Sequence, residues 1–236
     1  MKIGLFADSH ESDLAVSCRT RRPSLSYGKI KEAMTAFRAG GAELAICLGD
    51  LLDHCADRAD DEREFIRLSE MIRSFGLPFY CVRGNHDCEN FLEEDFYRIG
   101  KFQKPPFSET FGNKTLVFLD ANYHDSGERY LPQKIDWTNS WLPPEQADRL
   151  KAVLADPAVE EAVVFLHELL NPSADPRYLV RNAAEIRAIL EKSGKVRRVY
   201  CGHYHKGMRE TCNGISYVAL PAMCEGEENR YEIVEL

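Results

Sequence analysis

The sequence predicts an α/β fold that forms a single domain over residues 1–236. Short apolar runs alternate with helical patterns in the first part of the chain, which is typical of strand–helix–strand units. Further along, Gly112-Asn113 and Asn213-Gly214 are hairpin turn signals that add antiparallel strands. No linker rich in Pro, Gly or Ser divides the chain, and we therefore expect one domain.

The elements of the first part follow from hydrophobic periodicity. An apolar run at residues 3–7 predicts a buried strand, and a polar loop follows it. The next segment predicts a helix, because its apolar side chains recur at helical spacing until a Gly-Gly pair ends it. The same criteria predict a second strand, a second helix and a third strand at residues 44–48, 63–75 and 79–82.

The second part of the chain combines the two hairpins with further strands and helices. A helix is predicted at residues 143–156, where Pro occupies the start. Asn182 is predicted to cap the next helix, with Glu185 three residues on. The remaining predicted strands are residues 162–166, 196–201 and 231–234, and residues 122–140 are expected to form a surface loop near the site.

Composition and charge exclude several functions. The formal net charge is −8 and no long Lys/Arg run occurs, which makes nucleic acid an improbable partner. No stretch is long and apolar enough to span a membrane, and Asp8 interrupts the N-terminal apolar run. We therefore expect a cytoplasmic protein whose cysteines are reduced. Those cysteines form no Cys-x-x-Cys pair, which argues against a structural zinc site.

Residues of metal-ligand type follow five predicted strands at the point where each strand ends. In open α/β sheets, ligands gather beyond the carboxyl ends of the strands. Carboxylate and imidazole suit first-row divalent cations. One such motif alone is more often a turn or a buried side chain, but five at five strand ends are hard to explain in that way. The residues are Asp8 and His10; Asp50 and Asp53; Asn85, His86 and Asp87; His167; and His203 and His205.

As an ordered set, these motifs resemble the calcineurin-like metallophosphoesterase superfamily. They read Asp-Ser-His, Gly-Asp-Leu-Leu-Asp, Gly-Asn-His-Asp, His and Gly-His-Tyr-His, between residues 8 and 205. The resemblance implies a four-layer α/β/β/α sandwich with two mixed β-sheets. One departure is that Glu-Leu-Leu follows His167, where many members have a Pro. This departure concerns the pocket wall and not the ligand.

The resemblance also implies two divalent cations, of manganese, iron, zinc or cobalt. One would be held by Asp8, His10, Asp50 and His205, and the other by Asp50, Asn85, His167 and His203. Asp50 would be shared. His86 would sit beside the leaving group with Asp87 orienting it, and Asp53 would support the site without binding an ion. Two such cations share a hydroxide for in-line attack on phosphorus, and His86 would donate a proton to the departing oxygen.

The substrate suggested by general likeness is a nucleotide-like small molecule with a phosphodiester or pyrophosphate bond. The likeness is to bacterial cyclic-nucleotide phosphodiesterases and to manganese-dependent ADP-ribose diphosphatases. Arg19 and Arg21 follow the first ligands and would bind a second phosphate; a solvated basic loop is the alternative. Four aromatic residues would stack a base or else cover the edge of the core: Tyr123, Tyr130, Trp137 and Trp141.

Two other functions remain open at this point. The same site would serve a phosphomonoesterase, including a phosphoprotein phosphatase. A catalytically weak metal-binding scaffold is the other alternative, and it is disfavoured because His86 and every ligand are present. Oligomeric state and the identity of the metal are left open.

Overall fold

The computed structural model describes residues 1–236 as two β-sheets with helices on their outer faces. The helices are α1 (Pro23–Ala39), α2 (Asp61–Ser74), α3 (Asn85–Asn90), α4 (Glu93–Gly100), α5 (Pro144–Ala155) and α6 (Ala183–Ser193). The strands are β1 (Lys2–Phe6), β2 (Leu44–Cys47), β3 (Phe79–Cys81), β4 (Phe107–Phe111), β5 (Lys114–Phe118), β6 (Glu161–Phe165), β7 (Val196–Cys201), β8 (Met208–Cys212), β9 (Ile215–Ala219) and β10 (Glu232–Glu235).

Both sheets are mixed, as the sequence resemblance implies. The smaller sheet has the order β10-β1-β2-β3, in which β1, β2 and β3 are parallel and β10 is antiparallel to β1. The larger sheet has the order β4-β5-β6-β7-β9-β8. Its four central strands are parallel, and each predicted hairpin contributes one antiparallel edge strand. The parallel strands of each sheet therefore end at a common edge.

Three apolar layers hold the sheets and helices together. The middle layer lies between the sheets and joins Ile3 and Leu5 of β1 to Phe118 and Phe165 of the larger sheet. Since side chains alternate along a strand, Phe6 points the other way, into the layer beneath α1, α2 and α4. The third layer packs α5 and α6 against the larger sheet. The predicted α/β/β/α order is confirmed.

Several local features differ from the predictions. The sequence pattern does not predict α3 or α4. Helix α3 escapes it because this helix has only six residues and begins inside the Gly-Asn-His-Asp motif. Asn182 does precede α6, but its side chain makes no capping hydrogen bond. Instead its amide accepts a hydrogen bond from the backbone N–H of Leu142 and donates one to the carbonyl of the same residue. The predicted N-cap position is confirmed, but the side chain does not cap the helix because a tertiary contact takes its polar atoms.

No helix in the structure combines the length and the apolar character that a membrane crossing requires. Residues 122–140 contain no helix or named strand, as predicted.

Candidate metal centre

The carboxyl ends of β1, β2, β3, β6 and β7 meet at one edge of the sandwich, and the predicted ligands lie there. We call Asp8, His10, Asp50 and His205 the first pocket, and Asp50, Asn85, His167 and His203 the second pocket. Two of the three groups of metal-binding atoms in the structure contain Asp50: one with His10 and His86, the other with His167 and His203. The structure thus gathers side chains separated by up to 197 positions in the chain.

Asp50 lies between the two pockets. Its Oδ2 is 3.6 Å from Nε2 of His10 and 3.3 Å from Nε2 of His167. Its Oδ1 accepts a hydrogen bond from the backbone N–H of His86 at 2.8 Å. In the first pocket, Nε2 of His205 is 3.2 Å from Nε2 of His10 and 3.8 Å from Oδ1 of Asp8. One carboxylate therefore faces ring nitrogens on both sides.

The backbone is strained at four of these residues. Asp8, His10, Asp50 and His203 have φ angles of 54°, 46°, 48° and 65°, a region that residues other than glycine rarely adopt. Hydrogen bonds hold this conformation: the N–H of Asp8 donates to the carbonyl of Gly49, and that of His10 to the carbonyl of Asp50. Strain of this kind collects at functional sites.

Two glycines allow the loops to approach closely. A Cβ atom on Gly84 would lie 2.2 Å from Oδ1 of Asp50, and one on Gly49 would lie 2.4 Å from Nδ1 of His167. Gly49 also has a φ of +95°. Any side chain at either position would therefore push Asp50 or His167 away, which explains why glycine precedes the ligand in these motifs.

The geometry around His167 calls for a positive charge in the second pocket. Nδ1 of His167 is 2.8 Å from the carbonyl oxygen of Leu48 and donates a hydrogen bond to it, since a carbonyl only accepts. In the neutral ring, Nε2 then carries a lone pair, and this lone pair faces the Asp50 carboxylate. Burial disfavours the imidazolium, but the charges of Asp50 and Asp8 raise the pKa of His167 well above its ordinary value. A cation between the two groups would satisfy both.

Other buried atoms of the second pocket also lack partners. Nε2 of His167, Nε2 of His203 and Oδ1 of Asn85 make no hydrogen bond although they are buried, and buried polar atoms are nearly always paired. Burial lowers the pKa of His203 and of His10 well below the ordinary value, which favours the neutral, metal-binding form. These donor atoms fit divalent first-row cations.

Sequence reasoning missed two residues beside the first pocket. Oε1 of Glu225 lies 2.8 Å from Nδ1 of His205, and the sulfur of Cys224 forms a group with His10 and His205. The Nδ1–H of His205 donates a hydrogen bond to this carboxylate, which leaves the Nε2 lone pair for a cation. No sequence signal marks these residues, because they follow β9 outside any motif.

Asp87 does not contact the ring of His86, contrary to the prediction. Its two oxygens accept hydrogen bonds from the backbone N–H groups of Leu52 and Gly84, both at 2.9 Å. Asp87 therefore fixes the loops that carry Asp50 and Asn85. The explanation is that Asp87 lies in the first turn of α3, facing those loops.

Other carboxylates surround His86 instead. Nδ1 of His86 is 3.6 Å from Asp53 and 3.4 Å from Glu89. Burial disfavours the imidazolium, but the nearby charges of Asp50 and Asp53 raise the pKa of His86 to about 9. Nε2 of His86 is 3.4 Å from Nη1 of Arg21, on the side where the cleft opens. The carboxylates near Nδ1 therefore favour the protonated form of His86.

A cleft of about 540 Å³ opens above the two pockets, a size typical of small-molecule sites. Its basic side chains include Arg21, whose Nη1 is 3.3 Å from Nδ1 of His10. Arg19 is exposed and does not line the cleft. Three aromatic rings line it, namely Trp137, Tyr178 and Tyr204.

Of the four aromatic residues considered in the sequence, one lines the cleft and three do not. The Trp137 ring lies 5.6 Å from the ring of His203, whereas Tyr123, Tyr130 and Trp141 do not line the cleft. Tyr130 is buried and its hydroxyl donates to the carbonyl of Asp136. Tyr178 carries no sequence signal, because it ends a short 3-10 turn at Pro176–Tyr178 that belongs to no motif.

Comparison with known proteins identifies relatives. The family model for calcineurin-like phosphoesterases matches residues 1–207. A 3',5'-cyclic adenosine monophosphate phosphodiesterase, CpdA, from Haemophilus influenzae is 25% identical over 185 residues, 77% of this chain. A 3',5'-cyclic-nucleotide phosphodiesterase from Nostoc is 24% identical over 181 residues, 74% of this chain. The aligned part spans 61% and 63% of the lengths of these two relatives.

A solved structure supports the fold. The crystal structure of a dimetal phosphatase from Danio rerio superposes with a TM-score of 0.78 and 21% identity, and the match covers 100% of this chain and 92% of the other.

Proposed function

The chain belongs to the calcineurin-like phosphoesterase family, and from that premise we propose that it hydrolyses a phosphodiester or pyrophosphate bond in a nucleotide-like small molecule. The observation that carries the proposal is the pair of pockets on either side of Asp50, with unpaired buried ring nitrogens beneath a cleft of about 540 Å³. Two curated relatives bear the names of cyclic-nucleotide phosphodiesterases. Their names support this substrate class.

Asp8, His10, Asp50 and His205 would hold one cation, and Asp50, Asn85, His167 and His203 the other. Such cations supply Lewis-acid stabilisation of charge on phosphorus and activate water as a nucleophile. We assign manganese, iron, zinc or cobalt to the pockets because imidazole and carboxylate donors suit those ions.

His86 is the proton donor in this proposal. It stands at the edge of the cleft, and the carboxylates of Asp53 and Glu89 on its Nδ1 side keep the ring charged. Its Nε2 side faces the cleft beside Arg21. A charged imidazole in that position donates a proton to the departing oxygen of the substrate. Asp87 contributes by holding the backbone of the Asp50 and Asn85 loops.

Arg21 and the aromatic rings account for substrate recognition. The Arg21 guanidinium lies 3.7 Å from Asp53 and lines the cleft directly above the pockets. It is placed to bind a phosphoryl oxygen through charge-assisted hydrogen bonds. Trp137 and Tyr178, whose ring centroids are 5.4 Å apart, form an apolar wall on the His203 side. A nucleobase stacks well on such a wall.

The first experiment compares hydrolysis of bis(p-nitrophenyl) phosphate and p-nitrophenyl phosphate by the manganese-loaded protein. The proposal expects the diester to be cleaved clearly faster, followed by cyclic nucleotides and ADP-ribose. Faster cleavage of the monoester would replace it with a phosphomonoesterase. No cleavage of either compound with manganese, iron, zinc or cobalt, although two ions bind, would point to a metal-binding scaffold.

A second experiment tests the role of His86. In the His86→Ala variant, cleavage of a diester with a poor alkoxide leaving group should fall by about a thousandfold, because loss of a general acid costs roughly 10²–10⁴-fold. Cleavage of bis(p-nitrophenyl) phosphate should fall much less, because its p-nitrophenolate leaving group departs without protonation. Equal losses for both substrates would assign His86 to binding.

A further inference from the structure

The first pocket contains a cysteine that the family motifs do not include. The sulfur of Cys224 and ring nitrogens of His10 and His205 all lie within 4.8 Å of one another. Cys224 has no exposed surface. Its thiol therefore lies beside these ring nitrogens and not at the solvent-exposed surface.

Backbone hydrogen bonds fix the position of Cys224. Its N–H donates to the carbonyl of Asp8 at 3.0 Å, and the N–H of Met223 donates to the carbonyl of Ala7 at 2.9 Å. On the other side, its carbonyl accepts a hydrogen bond from the N–H of Arg22 at 2.8 Å. The segment is held on both sides against the end of β1, so the sulfur is presented beside the first pocket by a rigid backbone.

The thiol of Cys224 donates no hydrogen bond. Cys55, Cys88 and Cys201 also donate none, whereas Cys47 and Cys81 donate to the carbonyls of Gly49 and Val82. Among these buried thiols, only that of Cys224 belongs to a group of metal-binding atoms. The neighbouring nitrogen also points to a ligand. Nδ1–H of His205 donates a hydrogen bond to Glu225, so Nε2 of His205 carries a lone pair, and it lies 3.2 Å from Nε2 of His10.

We propose that Cys224 is a ligand of the cation held by His10 and His205, so that this chain adds a thiolate to the first pocket. On cation binding the S–H bond breaks, a sulfur–metal bond forms and the proton leaves to solvent. A metal–sulfur bond of about 2.3 Å and a metal–imidazole bond of about 2.1 Å place the sulfur and the ring nitrogen at most about 4.4 Å apart across one ion. The separations in the structure are at most 4.8 Å, and a tetrahedral angle at the ion places the two donor atoms roughly 3.6 Å apart. The sulfur therefore has to move toward the histidines when the cation binds. The inference rests on the cation pair of the proposed function.

A thiolate changes which cation the pocket prefers. Soft sulfur ligands favour zinc and disfavour manganese and magnesium, which prefer oxygen. We therefore expect the first pocket to bind zinc or cobalt in preference to manganese, while the second pocket, without sulfur, discriminates less.

X-ray absorption at the zinc edge of the wild-type protein, loaded with two equivalents of zinc, tests the ligand directly. The proposal expects a sulfur shell at about 2.3 Å in addition to nitrogen and oxygen at about 2.0–2.2 Å. A spectrum fitted by nitrogen and oxygen alone would overturn it, and this measurement needs no variant to fold.

Cobalt spectroscopy then assigns the sulfur. Wild-type protein titrated with cobalt should show a sulfur-to-cobalt charge-transfer band in the near ultraviolet, and Cys224→Ser should lack it while still binding cobalt. The matched control is Cys81→Ser, since Cys81 is a buried thiol outside every metal-binding group; it should keep the band. Zinc affinity relative to manganese should fall about tenfold or more in Cys224→Ser only.

The outcomes separate this inference from the proposed function. Two bound cobalt ions with no sulfur band in the wild type would overturn the thiolate and leave the phosphoesterase proposal intact. Absence of cobalt binding by the wild type would overturn both.

Discussion

The two pockets that share Asp50 contain similar ligands but are held in place by different forces. In the second pocket, His167 is fixed by a backbone carbonyl and His203 by the rings of Trp137 and Tyr178. In the first pocket, His205 is fixed by the Glu225 carboxylate. Its side chain is also 20% exposed, whereas that of His167 is fully buried. We therefore expect the proposed cation of the second pocket to be tightly held and that of the first pocket to be exchangeable.

Charge adds to this contrast. The first pocket has charged neighbours on several sides, with Arg21 and Asp53 near His10 and Glu225 behind His205. Beside the second pocket, the ring of His203 packs against the rings of Trp137 and Tyr178. Side chains near the first pocket can therefore be changed one at a time to tune cation affinity, while changes near the second also disturb packing.

Replacing the shared carboxylate should break both pockets at once and have the largest effect. In Asp50→Asn, the shape is kept but the charge that both cations need is lost. Hydrolysis of bis(p-nitrophenyl) phosphate should fall by about a thousandfold or more, since cation stabilisation contributes several kcal/mol and 1.36 kcal/mol is about tenfold. Elemental analysis of the gel-filtered protein should show less than one cation per chain. Retention of two would contradict the shared role.

Replacing one histidine in each pocket should expose the difference between them. His205→Ala should lose only the exchangeable cation, and excess metal should restore part of its activity. His203→Ala should lose the tightly held cation and remain inactive in excess metal. Both should lower diester hydrolysis by about a hundredfold without added metal. Metal titrations of the paired variants check this, and identical rescue curves would remove the distinction.

Replacing Glu225, which neighbours the first pocket, should have the smallest effect on cation binding and should separate the two pockets most clearly. Glu225→Gln removes the charge that orients His205, and we expect cation affinity of the first pocket alone to fall about tenfold, as is common for partners of metal-binding histidines. Isothermal titration of the metal-free protein measures both affinities.

The control for this change is Glu228→Gln, which alters an exposed carboxylate in the same segment. An equal fall in the affinity of the second pocket in Glu225→Gln would show that Glu225 acts through overall charge and not through His205.

Much of the fold could be predicted because its signals are local. The predicted strand at 196–201 coincides with β7, and the hairpin predicted at Asn213-Gly214 joins β8 and β9, since apolar runs and an Asn-Gly turn leave few alternatives. The contact of the Asn182 side chain with Leu142 and the helix α4 could not be predicted in this way. Each depends on which distant residue supplies a partner or covers an apolar face.

Tertiary structure also decided which candidate side chains reach the cleft. Arg19 and Arg21 are equivalent in the sequence, but only Arg21 turns toward His10. Asp87 was expected beside His86, but its first-turn position in α3 directs it to backbone N–H groups of two loops. Of the four aromatic candidates, only Trp137 lines the cleft.

The sequence by itself determined the α/β architecture, the family and the set of side chains that gather around Asp50. It did so because apolar periodicity and the residues at strand ends are properties of short segments. Only the tertiary structure decided that Glu225 orients His205, that Asp53 and Glu89 face His86, and that Cys224 borders the first pocket. These contacts join segments far apart in the chain, and no local pattern records which distant loops the packed sheets bring together.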